Sequence, residues 1–356
     1  MRRRTTAAVA ATTLLSAGAV VAAVAAGRWA YDAARVRRPP GFAGARLSVH
    51  STAAGQVTLT RSLHSLRRGT YGLAGKSCHA VVGPPLEVRA GPDSVVRRLE
   101  RVDHGELTPG APVTLTPQLH LGTPESALGI THTDVSIPAP DGPLPAWFIP
   151  GSRDTWVIAL HGFGATREHP LNIVPFLHDQ HLPVLIPAHR GAWRDADAAL
   201  GYALGYGARC VVLYGWSTGA AMALRAAAHS EARDRVAGLV LDSPVLDPAA
   251  TLRALAARRG VPGPLLPLVT GGRPQKAAEP PPAPPPPGES GAPVPVLVLH
   301  GPGDTVAPWD ASRDLAARHP ESVTLHVIAD AEHAAMWNAD PPAYEERLRR
   351  FLTPLM

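Results

Sequence analysis

The sequence predicts an α/β fold: a mostly parallel central sheet flanked by helices, with a small β-rich N-terminal unit. Three observations carry this. From Thr155 onward, apolar runs near residues 156, 184, 211, 237, 295 and 323 alternate with stretches of helical composition and length. Runs such as Thr155-Trp-Val-Ile-Ala-Leu160 and Val294-Pro-Val-Leu-Val-Leu-His300 are apolar almost throughout, as in strands buried on both faces of a parallel sheet. Between residues 40 and about 130 the pattern changes to short β-like runs punctuated by Gly-Pro, Pro-Gly and Gly-Thr-Pro turns.

Taken in order, residues 1–38 form an N-terminal membrane anchor or signal segment. Arg2-Arg3-Arg4 precedes an uncharged stretch from Thr5 to Gly27, against the roughly 20 residues needed to cross a bilayer. Ala23-Val24-Ala25 offers a small-residue cleavage site, so an uncleaved anchor and a secreted protein with a removed signal both fit. Arg28, Arg35, Arg37 and Arg38 balance the leading arginines and leave orientation open.

Residues 39–130 form a β-rich accessory unit, with β-like runs at Gln56 to Thr60, Cys78 to Val82, Val95 to Val102 and Pro112 to Thr116. Nothing in it carries chemistry, so it reads either as a wall over a pocket entrance or as a packing appendage. Residues 131–356 form the main domain. Thr133 to Pro138 and Leu144 to Ile149 make the opening hairpin, and helices are expected over Leu171 to Asp179, Asp195 to Gly207, Ala220 to His229, Pro248 to Arg259, Asp310 to Arg318 and Pro341 to Leu352. The Pro-rich insertion 273–292 belongs on the surface between strands, as a spacer, a lid or a docking segment.

The most informative motif is Gly215-Trp216-Ser217-Thr218-Gly219, which joins the apolar run Val211 to Tyr214 to an Ala-rich helix. A serine presented from a sharp strand-to-helix turn needs small residues two positions before and after it, and Gly215 and Gly219 supply them. Acid and base candidates follow in the order Ser, acid, His. Asp304 lies in the turn Gly301-Pro-Gly-Asp304 after one buried run, and His333 in the loop after Ser322 to Ile328. Upstream, His161-Gly162-Phe163-Gly164 closes another apolar run, where backbone N–H groups of Phe163 and Thr218 would form an oxyanion hole. Asp242, at the end of Leu239-Val-Leu-Asp242, competes as the acid, and Asp247 reads as the N-cap of a helix beginning at Pro248.

The phrases GAxxVVLxGWSxG, LDSPVLD, VPVLVLHGPGDTVAP and EHxxxWNADPxxYExxLRxFL resemble the α/β-hydrolase superfamily, particularly bacterial serine hydrolases related to prolyl-oligopeptidase-type and serine-aminopeptidase-type enzymes. The resemblance covers residues 133–354 well and is looser from about 55. It implies Ser217, Asp304 and His333 as catalytic residues, Phe163 and Thr218 at the oxyanion hole, and cleavage of an ester, thioester or amide bond through an acyl-enzyme. The implied substrate is a small-molecule ester or a peptide. Three departures matter: Ala220 follows Gly219 where many relatives carry a second glycine, the segment after Arg190 is shortened, and the Pro-rich insertion stands where a helical cap often sits.

Other classes fit less well. With 34 basic and 29 acidic residues the charge is only +5, with no basic face interleaved with aromatics, so no nucleic-acid partner is expected. His169, His178, His181 and His189 match no metal-ligand spacing, and no phosphate loop or dinucleotide fingerprint is present, so neither metal nor cofactor is expected. Of the 2 cysteines, Cys210 at the start of the elbow strand reads as a small packing residue and Cys78 falls in the N-terminal unit, with a bridge between them as the alternative. A catalytically silent α/β-hydrolase-fold binding protein is the alternative from another class.

Overall fold

The computed structural model describes residues 46–87, 91–162, 164–258, 260–267 and 293–356. The expected anchor or signal segment 1–38 and the Pro-rich insertion 273–292 lie outside the described residues. Among the described residues, no helix is long and apolar enough to cross a membrane.

Six antiparallel strands come first: β1 (Leu47–Ala53), β2 (Gln56–Thr60), β3 (Tyr71–Gly75), β4 (His79–Pro85), β5 (Ser94–His104) and β6 (Pro112–Thr116). They close into a barrel in the order β1-β2-β5-β4-β3-β6. Alternation explains the closure: Leu47 and Val49, Val57 and Leu59, and Val113 and Leu115 point inward while their neighbours face outward, filling the interior with side chains. The accessory unit therefore contains two strands, β1 and β3, beyond the β-like runs read from composition. In β3 the sequence Tyr-Gly-Leu-Ala-Gly hides the signal, because backbone closes on it; a Cβ at Gly72 would lie 2.1 Å from the Gln118 carbonyl oxygen.

A short helix, α1 (Pro124–Leu128), leads to the main sheet. Its eight strands are β7 (Thr133–Ile137), β8 (Leu144–Ile149), β9 (Thr155–Leu160), β10 (Val184–Pro187), β11 (Cys210–Trp216), β12 (Val236–Asp242), β13 (Val296–His300) and β14 (Val323–Val327). They lie in the order β14-β13-β12-β11-β9-β10-β8-β7, with β9 to β14 mutually parallel and the β7–β8 hairpin antiparallel at one edge.

Alternate residues of the parallel strands feed two cores. On one face Ile158, Leu160, Leu213, Leu241 and Val298 pack with α3 (Trp193–Gly205) and α4 (Thr218–His229). On the other, Val157, Val212, Tyr214, Val240 and Leu299 pack with α2 (Val174–Asp179) and with Tyr344, Leu348 and Leu352 of the C-terminal helix. Burial of a large aliphatic side chain contributes about 1.5–3 kcal/mol, so strands buried on both faces stabilise the sheet from either side. Alanines on α3 and α4 let those helices approach closely; Ala220, after the elbow glycine, packs into this core.

The expected helix over 171–179 divides into a 3-10 turn, His169–Asn172, and α2. Pro170 and Pro175 each sit in a first turn, where no N–H is needed and where a new helix starts more easily than an old one continues. In a separate compact unit, α5 (Pro248–Arg258) is capped by Asp247, whose side chain accepts the Ala250 N–H at 2.8 Å. Among the described residues three further α-helices follow: α6 (Asp310–Arg318), α7 (Met336–Ala339) and α8 (Pro341–Leu352).

Candidate active site

In this sheet β9 lies between β10 and β11, so the direction of strand addition reverses beside it. The crevice at the carboxyl ends of strands flanking such a reversal is where α/β sheets place ligands. Three strands end nearly level there, with Gly215 opposite Leu160 and Trp216 opposite Asp242.

Ser217 follows β11 with φ 56° and ψ −117°, a strained conformation for a residue with a side chain. The surrounding glycines make the turn possible by close approach. A Cβ at Gly215 would lie 2.4 Å from the Ala220 nitrogen, and one at Gly219 would lie 2.1 Å from the Leu160 carbonyl oxygen. The Ser217 N–H donates to the Asp242 carbonyl at 2.9 Å, tying the elbow to β12.

Ser217, His333 and Asp304, read from three separate loops, are brought together and buried. The Ser217 Oγ lies 2.7 Å from His333 Nε2, and His333 Nδ1 lies 2.7 Å from Asp304 Oδ2. This arrangement makes Nδ1–H the donor to the carboxylate and leaves Nε2 to accept the serine proton. Asp304 Oδ1 accepts the backbone N–H groups of Val306 and Ala307 at 2.8 Å each. Burial alone would raise the Asp304 carboxyl, but the facing His333 and hydrogen bonds from His300 and His333 hold it well below the usual carboxylate range.

His300, the last residue of β13, extends the chain of contacts. Its Nε2–H donates to Asp304 Oδ2 at 3.0 Å, while Nδ1 accepts the Ser312 hydroxyl at 2.8 Å. Sequence reading passed over His300; its signal was a polar residue closing an apolar run, four positions before the acid.

The rival acid, Asp242, is turned elsewhere. Its Oδ1 accepts the Ser243 hydroxyl at 2.8 Å and its Oδ2 accepts the Tyr344 hydroxyl at 2.9 Å; Tyr344 is in turn hydrogen-bonded to Tyr214. Burial pushes the Asp242 carboxyl up to about 7 despite these donors. Through Ser243 this group reaches the histidine loop, because the Ala334 N–H donates to Ser243 Oγ at 2.8 Å. On its other side, the Ala334 carbonyl accepts His169 Nε2–H at 3.1 Å. Burial lowers His169 to about 3, so it acts as a neutral donor. Ala334 (φ 53°) and Ser243 (φ 46°) are both left-handed, and their mutual hydrogen bond holds the turn after His333 in place. Neither Ser243 nor His169 was legible as part of the site.

Of the two expected oxyanion donors, Thr218 is the first residue of α4, at the positive end of the helix dipole, and Phe163 lies outside the described residues. Beside it, a Cβ at Gly162 would lie 2.8 Å from the Ser217 Cβ. His161 and His189 stack with ring centres 4.0 Å apart, and His189 Nε2–H donates to the His161 carbonyl at 2.9 Å. Burial lowers both imidazoles, His189 to about 3. Among the described residues no group of three or more His, Cys, Asp or Glu is placed to hold a metal ion. Cys78 and Cys210 are free thiols, Cys78 within the barrel core and Cys210 beside Thr155 Oγ1.

A mostly parallel eight-stranded sheet with a serine elbow after β11, an acid after β13 and a histidine after β14 is the α/β-hydrolase fold. Comparison of structures agrees. The esterase Pf2001 of Pyrococcus furiosus matches with a TM-score of 0.52 at 21% identity, covering 66% of this chain and 96% of that one. A second crystal form of it gives 0.51 over 94% of its length. An esterase from Pyrobaculum calidifontis gives 0.48 at 18% identity, covering 63% of this chain and 85% of that one. At such identities the likeness concerns the fold. The family described as "Domain of unknown function (DUF8805)" matches residues 48–116, a span running from β1 to the end of β6. A search of curated proteins gives no significant match.

Proposed function

We propose that the protein is a serine hydrolase that cleaves an ester, thioester or amide bond through an acyl-enzyme. The observation that carries this reading is the unbroken hydrogen-bonded series Ser217 Oγ, His333 Nε2, His333 Nδ1, Asp304 Oδ2, with both links at 2.7 Å. Support for an ester comes from the fold neighbour Pf2001, which is described as an esterase. Peptide amides enter through the sequence resemblance to peptidase-type relatives.

In the first half-reaction His333 Nε2 takes the Ser217 proton as Oγ bonds to the substrate carbonyl carbon, and the carbonyl oxygen becomes an oxyanion. The N–H groups of Thr218 and Phe163 receive that charge, each donor contributing roughly 3 kcal/mol in enzymes of this kind. Collapse breaks the bond to the leaving group, which takes the proton back from His333. Water then repeats the cycle on the acyl-enzyme, releasing the acid and restoring Ser217. Asp304 stays ionised throughout, orienting the imidazole and stabilising its charged form. Residues 1–38 hold this enzyme at a membrane or direct its export.

The test is labelling of the purified protein with a fluorophosphonate probe beside Ser217→Ala and His333→Ala, with p-nitrophenyl esters of short and long acyl chains assayed in parallel. Labelling and ester turnover lost in both variants is the expected result. A folded wild type that neither labels nor turns over an ester overturns the proposal in favour of a silent binding protein.

A further inference from the structure

The barrel and the histidine loop are joined by polar contacts of an unusual kind for a packing appendage. Arg97, on β5, is fully buried, and its guanidinium donates to three backbone carbonyls of a single barrel loop: Ser65 at 3.0 Å, Arg67 at 2.7 Å and Gly69 at 2.9 Å. Its charged head also lies 5.6 Å from the ring centre of Tyr71. Burial lowers Arg97 only to about 10, so it remains charged at neutral pH. A guanidinium taken out of water must be hydrogen-bonded, and here Nη1 and Nη2 fix the path of residues 65–69, while the buried Nε has no partner among the described residues.

That loop faces the chain on both sides of His333. On the N-terminal side, Arg67 Nη1 donates to the Asp330 carbonyl at 3.0 Å, and Nη2 pairs with Glu332 Oε1 at 3.0 Å. His64 contacts the same Glu332 carboxylate. On the C-terminal side, the Thr70 N–H donates to the Asn338 carbonyl at 2.9 Å, and Asn338 Nδ2 donates to the Thr70 and Pro117 carbonyls at 2.8 and 2.9 Å. Gly69 (φ 94°) allows this closeness, since a Cβ there would lie 2.0 Å from the Asn338 carbonyl oxygen. Between these anchors, Ala335 is buried in the barrel's own core.

We infer that the six-stranded barrel is a positioning element of the catalytic base, beside Ser243 and His169 of the main domain: Arg97 sets the 62–70 loop, and Arg67, Thr70 and Asn338 hold the 330–338 loop so that His333 meets Ser217 and Asp304. This rests on the reading of His333 as general base. It gives the barrel a role inside the chemistry that neither a pocket wall nor an appendage has. Arg67 and Asn338 touch no reacting atom; they act through the backbone that carries the imidazole. A base displaced by even 1 Å loses much of its effect on the bond-forming step while substrate binding is largely retained.

The experiment uses the full chain with Arg67→Met, Arg67→Lys and Asn338→Asp. Expected are a drop of about tenfold to a hundredfold in kcat and in fluorophosphonate labelling rate for Arg67→Met, with KM changed less than threefold, partial recovery in Arg67→Lys, and a parallel loss in Asn338→Asp. Hydrogen–deuterium exchange of residues 330–338 rises in the same two damaged variants. Wild-type labelling, kcat and exchange in both Arg67→Met and Asn338→Asp overturn the inference while the hydrolase reading stands. If the wild type itself does not label, the hydrolase reading falls and the base-positioning role falls with it. Exchange over 330–338 then decides only whether the barrel orders that loop.

Discussion

Replacing Asp242 by Asn probes the buried carboxyl that lies beside the hydrogen-bonded series Ser217, His333 and Asp304 without belonging to it. Asp242 is fully buried, and its carboxyl is raised from 3.8 to about 7, chiefly by burial and against hydrogen bonds from Ser243 and Tyr344. Between those values the folded protein holds a proton that the unfolded chain has released, so stability falls as pH rises. The contribution is fully present below pH 3.8, declines up to about pH 7 and is constant above it. The two values correspond to a difference on the order of 4 kcal/mol. Asparagine is neutral at every pH and escapes this loss. Asp304 has the opposite sign: its depressed value makes stability fall as pH drops below the ordinary carboxylate range, but it does so in both proteins and cancels in their difference. Urea unfolding of wild type and Asp242→Asn, followed by tryptophan fluorescence from pH 4 to 8, reads the effect directly. The variant gains on the wild type from pH 4 to 7 by several kcal/mol and holds that gain above pH 7. A difference that stays flat over this range would refute the reasoning, because Asp242 would then titrate alike in the folded and unfolded chains.

Two further outcomes follow from the same geometry. Asp304→Asn presents an amide to His333 and lowers kcat by about 10³-fold or more, whereas Asp242→Asn stays within about tenfold of wild type; steady-state turnover of a p-nitrophenyl ester distinguishes them. His300→Leu removes a donor from the Asp304 carboxylate and strands the Ser312 hydroxyl, lowering stability at pH 8 by about 1.5–3 kcal/mol in urea unfolding and slowing fluorophosphonate labelling.

The main sheet was legible because its strands are buried on both faces. Val211 to Tyr214 and Val296 to Leu299 are apolar without interruption, and between them lie segments of helical length. The barrel was legible only in part. In β1 the alternation lasts only from Leu47 to His50 before three exposed residues follow, and β3 is largely glycine and alanine. Both strands pair with their sequence neighbours, β2 and β4, and close the barrel only through β6, whose residues come some 40 positions after β3 and more than 60 after β1. Pairings that distant leave little local trace.

For the site, the order of motifs brought Ser217, Asp304 and His333 forward, since each follows a strand that can be read locally. The choice between Asp304 and Asp242 was not local, because both end or follow an apolar run. What separates them is the turn after Asp304, whose N–H groups at Val306 and Ala307 aim one carboxylate oxygen and leave the other for imidazole. Asp242 instead faces Tyr344, which is 102 residues away. Distance in sequence hides the supports of His333 in the same way: Ser243 meets Ala334 across 91 residues, His169 across 165, and Arg67 meets Asp330 across 263. The three candidate groups are thus written in short motifs, and their placement is written in contacts that no motif contains. The longest of those contacts come from the loop between β2 and β3, so the placement of the loop that carries His333 is written partly in strands that contain none of the motifs.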